Sequence, residues 1–457
     1  MNLLVKDKCF YKKMAVIAIP ISLQSMITIG VNMTDTVMVG KLGETSLSAT
    51  ALANQFVNIY QICCMGIAMG ASVLTSRFWG MQDITSLKKT ITLMLRLCIV
   101  LAVLFMLPTI LIPQLLMRMY TNDSAVIAQG VQYFKWMVYC YFLQGMTMTC
   151  TIVLRSVGQV NFPLFTSIGS FFVNILFNYM FIFGKLGVPR MEVEGAGVGT
   201  LIARVFEFSL ICGYFLFVDR KIGYRLKDLR MKCNSLIKDY VSISIPVFVS
   251  DSLLALGTSA VAMVMGRIGT GFVSANSITV VTQQLTTVII QGICHASCIM
   301  TGHTLGQGER EKAQQQAWTF LILGLVVGIL GGGLIKVLSR PIIGLYNITP
   351  ETAQIAGELM DAIAFIVIFQ SMNSILTKGV LRGGGDTKFL MVADIIFLWA
   401  ASLPLGILAG LVWHLDAFGI YVFLKIDQIC KSIWCVFRLR SGKWIKTFSK
   451  EKMNHAQ

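Results

Sequence analysis

Asp35 stands in an otherwise apolar stretch, together with Gln24, Thr28 and Asn32. Their spacing of four, four and three residues puts all four side chains on one face of a helix. A carboxylate in apolar surroundings can exchange a proton or a small cation, and a charge at mid-membrane costs at least a few kcal/mol, so an acid kept there calls for a function. Asn54, Asn58 and Gln61 repeat the spacing on the next apolar segment, and Asn174 and Asn178 lie one turn apart on the fifth. These amides either line a polar cavity with Asp35 or hydrogen-bond between helices, as Asn, Gln and Thr commonly do. The second half of the chain carries other polar groups: Asp251, Asp361 and Asp394, and a stripe of Gln283, Thr287, Gln291 and His295 at four-residue steps. The stripe suits a substrate path, His295 also suits a structural histidine, and Asp251 with Asp361 suits a second cation site. Asp394 lies toward a helix end, where a structural role fits.

The elements that position these residues follow from composition. Of 457 residues 55% are hydrophobic and 13% charged, a balance that makes lipid the solvent. A helix crossing ~30 Å of hydrocarbon needs roughly 20 mostly apolar residues. Such runs predict spans over 14–39, 47–75, 91–117, 130–153, 161–184 and 195–218, then over 241–266, 273–301, 317–338, 355–381, 388–413 and 417–437. The runs are continuous, whereas barrel strands alternate polar and apolar residues. The expected fold is an all-α integral membrane protein of twelve transmembrane helices.

Charge placement sets the expected topology. The net charge is +16, and its basic residues cluster before the first span, between 219 and 240, and after 437. That is the positive-inside pattern with both termini cytoplasmic, and it reads as topology with some attraction to anionic lipid rather than as a nucleic-acid surface. Helix 1 is too long for a signal peptide and is expected to be retained. The twelve cysteines show no metal-ligand spacing and read as small core residues. No HExxH, nucleophile elbow or P-loop is present, so neither an enzyme nor ATP-driven transport is expected, and no cofactor beyond a coupling ion.

The chain repeats itself. A shift of 226 residues lays Pro20 on Pro246, Gly40 on Gly266, Gly43 on Gly269, Gly66 on Gly292 and Gly80 on Gly306. With one further residue inserted, Val153-Leu154-Arg155 matches Val380-Leu381-Arg382, Gly158 matches Gly385 and Phe162 matches Phe389. Six spans per copy is an even number, so the two six-helix repeats are parallel, an arrangement suited to alternating access. The expected organisation is a lobe over 1–218, a basic linker over 219–240, a second lobe over 241–437 and a basic tail over 438–457. Asp35 falls opposite Val261, so the scaffold does not itself require the acid.

Three strings carry a family likeness: Pro20 through Asp35-Thr36-Val37-Met38-Val39-Gly40-Lys41-Leu42-Gly43, then Val380-Leu381-Arg382-Gly383-Gly384-Gly385-Asp386-Thr387, and Arg440-Ser441-Gly442-Lys443-Trp444. In their order and spacing over the whole chain they resemble the multidrug and toxic compound extrusion family, and most nearly the prokaryotic branch that includes the DNA-damage-inducible exporters. The resemblance implies two six-helix bundles in a V, with drug efflux driven by inward sodium or proton movement. It also implies a first-lobe cation site of a helix 1 aspartate, an asparagine and an aspartate one turn apart on helix 5, and a threonine on helix 6. Asp35, Asn174 and Thr200 match, and Asn178 stands where the second carboxylate is usual. Loss of that charge weakens a sodium site and leaves a protonatable acid. Pro20 matches a position where helix 1 of relatives bends; in its own right it is either a bend or an ordinary proline near a helix start.

The function so implied is an antiporter in the cell membrane, monomeric, exporting lipophilic or cationic small molecules through a cavity to which the 25 methionines and 28 phenylalanines would lend adaptability, though most of these face lipid. A flippase for lipid-linked precursors is the alternative. It calls for a more basic cavity, whereas mid-span basic residues are few: Arg204 lies within helix 6, and Lys378 and Lys425 lie near the cytoplasmic ends.

Overall fold

In hydrocarbon every backbone N–H and C=O must find its partner within the segment, and the chain meets this with helices throughout. The structure, a computed structural model, describes residues 4–185, 187–344 and 348–447, without the side chains of Thr270, Val281 and Leu285. The long helices are α1 Lys8–Gly40, α2 Glu44–Gly80, α3 Ile84–Leu111, α4 Ser124–Ser156, α5 Asn161–Phe183, α6 Glu192–Val218, α7 Asn234–Ile268, α8 Thr270–Gly306, α9 Arg310–Ile343, α10 Pro350–Leu381 and α11 Thr387–Val412. Among the described residues these 11 hold windows apolar and long enough to cross a membrane.

The segment expected over 417–437 is a helix pair, α12 Ala417–Leu424 and α13 Ile426–Arg440, parted at Lys425. At 15 residues α13 is too short to span a membrane on its own, and it carries Asp427 and Lys431. Ser402 donates to the carbonyl of Leu424 at 2.6 Å, so the break leaves that acceptor satisfied. The span expected over 91–117 stops early: Ile112 leaves helical geometry and Pro113 begins a separate helical turn, Pro113–Arg118.

Helix starts follow the sequence. Asp83 accepts from Ser86 N at 3.0 Å, Asp123 from Ala125 N at 2.9 Å, and Thr349 precedes a proline at the first helical position.

The repeat is written into the backbone. After α2 the chain turns through Gln82 at φ 59°, and after α8 through Gly308 at φ 82°. Six-residue closures follow at equivalent places, Asp83 N to Phe78 O at 3.0 Å and Glu309 N to Thr304 O at 3.2 Å. Gly158 and Gly385 turn at φ 80° and 82°, closing Gln159 N on Leu154 O and Asp386 N on Leu381 O. Glycine takes this left-handed geometry at no steric cost.

Two compact units result. The first runs from Leu23 to Ser244, and the second comprises Met1–Ser22 with Ile245–Gln457. Each seam lies within two residues of a helix-interior proline, Pro20 in α1 and Pro246 in α7. In the first unit Tyr60, Tyr133, Phe134 and Tyr141 centre the core, and Tyr60 donates to the Tyr141 carbonyl at 2.5 Å. In the second, α8, α10 and the α12–α13 pair enclose Phe272, Leu359, Ile363 and Tyr421.

The basic stretch 219–240 is bound to the first unit. Tyr224 is fully buried, its hydroxyl 2.9 Å from that of Thr92, and Arg96 donates to Leu229 O at 2.6 Å. Lys88 reaches Asp228 at 3.0 Å. Residues 441–447 are docked within the second unit. Trp444 is buried on Gly384 and donates to Gln314 Oε1 at 2.7 Å, while Asp386 takes Arg438 Nε at 2.6 Å and Lys446 Nζ at 3.3 Å. Two motifs 60 residues apart, counting from Gly384 to Trp444, are halves of one contact.

Candidate functional site

The first unit encloses a cavity of about 380 Å³ walled by α1, α2, α4, α5 and α6. Its helix 1 face presents Thr28, Asn32 and Asp35, its α2 face Asn54, Asn58 and Gln61, its α5 face Asn174 and its α6 face Thr200. The spacing that places these groups on single helix faces therefore brings them to one space. Tyr133 donates to Asn54 Oδ1 at 3.3 Å, so Asn54 serves both as lining and as a contact between helices.

The approach of α6 to α5 is made by glycine. A Cβ on Gly195 would meet the Phe181 carbonyl oxygen at 2.5 Å, and one on Gly199 would meet Asn178 Oδ1 at 2.1 Å. Small residues let membrane helices close to backbone contact, and here the contact puts Thr200, the next residue, on the cavity wall.

Asn178 itself lies behind the lining, buried to 1% exposure. Its Nδ2 donates to Asp35 Oδ1 at 2.6 Å and to Asn174 Oδ1 at 3.3 Å, spending both amide hydrogens on oxygens. The reverse amide orientation would set carbonyl against carboxylate, so the hydrogen bonds fix the assignment. Its Oδ1, packed on Gly199, has no partner. The position that could supply a second negative charge instead supplies a hydrogen-bond donor.

Other charged groups on the wall were less legible. Arg204 lines the cavity and is paired with Glu207 at 2.8 Å, so the lining sums to two acids and one base. Glu207, Tyr133 and Gln144 belong to the site but carry no distinguishing spacing in sequence. Methionine is scarce there, Met137 being the one on this wall. The expected methionine-rich lining is not found in this cavity, whose wall mixes amides and hydroxyls with aliphatic residues such as Ile27, Val31 and Val57.

Gln24 departs from its expected place. It donates to Ser167 Oγ at 2.8 Å and accepts from Arg155, and it does not line the cavity. Arg155 and its repeat equivalent Arg382 make matching contacts: Arg382 donates to Asp251 Oδ1 at 3.0 Å. In each unit the arginine ties the glycine turn to the helix that carries the proline.

Asp251 and Asp361 do not form one cation site. Asp361 pairs with Lys336 at 2.5 Å and Asp251 with Arg382. Twenty-one residues of helix separate Asp361 from Arg382 (382 − 361), about 30 Å at 1.5 Å per residue. Each carboxylate is already answered by a cation. The α8 stripe also divides: Gln283 donates to Gln370 Oε1 at 2.9 Å, Thr287 bonds its own helix at Gln284 O, and of the proposed path residues Gln291 alone reaches a second cavity.

A model of the MatE family matches residues 20–180 and again 246–408, once per repeat. Among proteins of known sequence, the chain is 24% identical to the "Probable multidrug resistance protein NorM" of Thermotoga maritima, over 95% of this chain and 93% of that one. It is 25% identical to the "Uncharacterized transporter YisQ" of Bacillus subtilis, over 90% of each. Among solved structures, the MATE transporter VcmN of Vibrio cholerae, determined as a point mutant, superposes with a TM-score of 0.86 at 16% identity, covering 95% of this chain and 97% of that one. The fold and the paired matches define a multi-pass membrane transporter rather than an enzyme. The chain belongs to the MatE family.

Proposed function

We propose that this transporter is a secondary active exporter of lipophilic or cationic small molecules, such as drugs and toxins, in the cell membrane, driven by inward movement of protons or sodium. The observation that carries the reading is Asp35 on the wall of a polar cavity, held by the Asn178 amide. Relatives named as multidrug resistance proteins support it. The proposed arrangement is twelve spans in two six-helix lobes forming a V, monomeric, with both termini cytoplasmic and the lobes joined through 219–240. The DNA-damage-inducible branch of the family is the proposed placement.

In this reading Asp35 is the coupling group, assisted by Asn174, Asn178 and Thr200. Asn178 favours the proton over sodium. It brings no charge of its own, and its amide hydrogen takes up one of the two carboxylate oxygens of Asp35. Asn32, Asn54, Asn58 and Gln61 supply polar contacts for substrate. Arg204 faces the Asp35 cavity, as the flippase alternative asks, but Glu207 matches it and leaves no spare positive charge in that cavity for a phosphate.

The test is ethidium efflux from proteoliposomes with proton and sodium gradients imposed separately. Gradient-driven efflux that persists at the wild-type rate in Asp35→Asn would overturn the assignment.

A further inference from the structure

The second unit holds a cavity of about 210 Å³ that the proposed export function does not use. Its wall carries four basic side chains, Lys378, Arg382, Lys425 and Lys431, and two acids, Asp394 and Asp427. The acids are committed: Lys431 lies 3.0 Å from Asp394 and 2.9 Å from Asp427. Arg382 is matched by Asp251 from behind the wall. Lys378 and Lys425 make no direct ion pair among the described residues, although Asp251 lies near the first and Asp427 near the second, so four bases stand against three acids and one positive charge is in excess.

An excess positive charge buried away from water is costly, and a cavity that holds one is completed by an anion. Leu254, Leu390 and Leu398 give the same cavity an apolar wall. We infer that this cavity binds a small organic carboxylate, with Lys378 and Lys425 facing the carboxylate and the leucines facing its apolar body. Arg382 and Lys431, locked by their own acids, set the background potential without meeting the ligand's charge. The site is distinct in sign from the Asp35 cavity, where acids outnumber bases.

Binding tests this without transport. The full chain in phosphatidylcholine nanodiscs is titrated calorimetrically with salicylate and with salicylamide, its neutral counterpart. Salicylate is expected to bind at least about tenfold more tightly, and the double variant Lys378→Gln/Lys425→Gln is expected to lose that preference while binding ethidium as wild type does. Equal affinity for the two probes in wild type overturns the inference, whatever the variant's folding, and so does a preference kept in the double variant. Repeating the titration in discs containing phosphatidylglycerol separates a soluble anion from a lipid headgroup. Unchanged salicylate affinity supports the carboxylate site, and a loss of about tenfold reassigns the cavity to anionic lipid and overturns it.

Discussion

Asn178 donates its amide hydrogen to Asp35 Oδ1 across 2.6 Å. The bond joins α5 to α1 at the one acid of the expected site, and it decides what that acid can hold. A carboxylate there would repel Asp35 unless a proton or a metal ion lay between them.

Asn178→Asp is therefore expected to convert the site toward sodium. Efflux driven by an imposed sodium gradient should rise, with half-maximal sodium falling by about tenfold, roughly 1.4 kcal/mol. Proteoliposome assays over a sodium series measure it, and an unchanged sodium response counts against the charge argument.

Gly199→Ala tests the packing that sets the bond. The new methyl would sit 2.1 Å from Asn178 Oδ1 and 2.8 Å from its backbone nitrogen, so α5 and α6 must part. Overpacking of this kind costs typically 1–3 kcal/mol, at about the lower end if the helices yield easily. Efflux is expected to fall with Asp35 intact, read beside the melting temperature in detergent.

Asp251→Asn leaves the buried Arg382 without its anion. Breaking such a pair destabilises by about 3–5 kcal/mol in soluble proteins, and removing both partners restores much of the loss. The expected pattern is a large drop in melting temperature for Asp251→Asn and for Arg382→Gln, with partial recovery in the double variant. A shift in ion dependence without loss of stability would return Asp251 to the coupling machinery.

Gly384→Ala drives a methyl to within 2.3 Å of the Trp444 ring. Trp444→Ala empties the same contact, at a cost of about 3–5 kcal/mol. Both variants are expected to melt lower and to expose the residues after α13 to protease, measured by limited proteolysis in detergent.

Asp228 gives a pH dependence with a definite sign. Burial alone would raise its carboxyl, but the Lys88 ammonium bonded to it and the Arg225 backbone N–H outweigh burial and hold it below the ordinary 3.8. A carboxyl lowered in the folded state contributes stability above its unfolded value, near pH 4, and loses it as pH falls through the folded value. Asp228→Asn is expected to lower stability at pH 7 by about 0.5 kcal/mol, the scale of a surface pair, with the difference from wild type shrinking as pH falls through the folded-state value. Melting temperatures across that range decide it.

The sequence reading succeeded where period and composition speak. The apolar runs located the helices to within several residues, and the glycine register exposed a duplication that the paired turns at Gly158 and Gly385 repeat in three dimensions. Four-residue spacing picked out Thr28, Asn32 and Asp35 as one face. Partners could not be read in this way, because an ion pair depends on which helices meet. Nothing in the sequence joins Asp361 to Lys336, or sets Gln24 against Arg155. Asp394 read as a structural residue toward a helix end, and three-dimensional packing was needed to set it and Asp427 around Lys431.

The charged face of α13 bears on how the protein is made. A helix presenting Asp427 and Lys431 partitions poorly into lipid, each charge costing about 2.5–3.5 kcal/mol at a helix centre. Lys431 finds its carboxylate on α11, at Asp394. The last segment is therefore expected to enter the bilayer only once α11 is there to receive it. A lesion at Asp394 is expected to surface first as a failure of insertion, with the C-terminus left at the membrane surface for quality-control proteases.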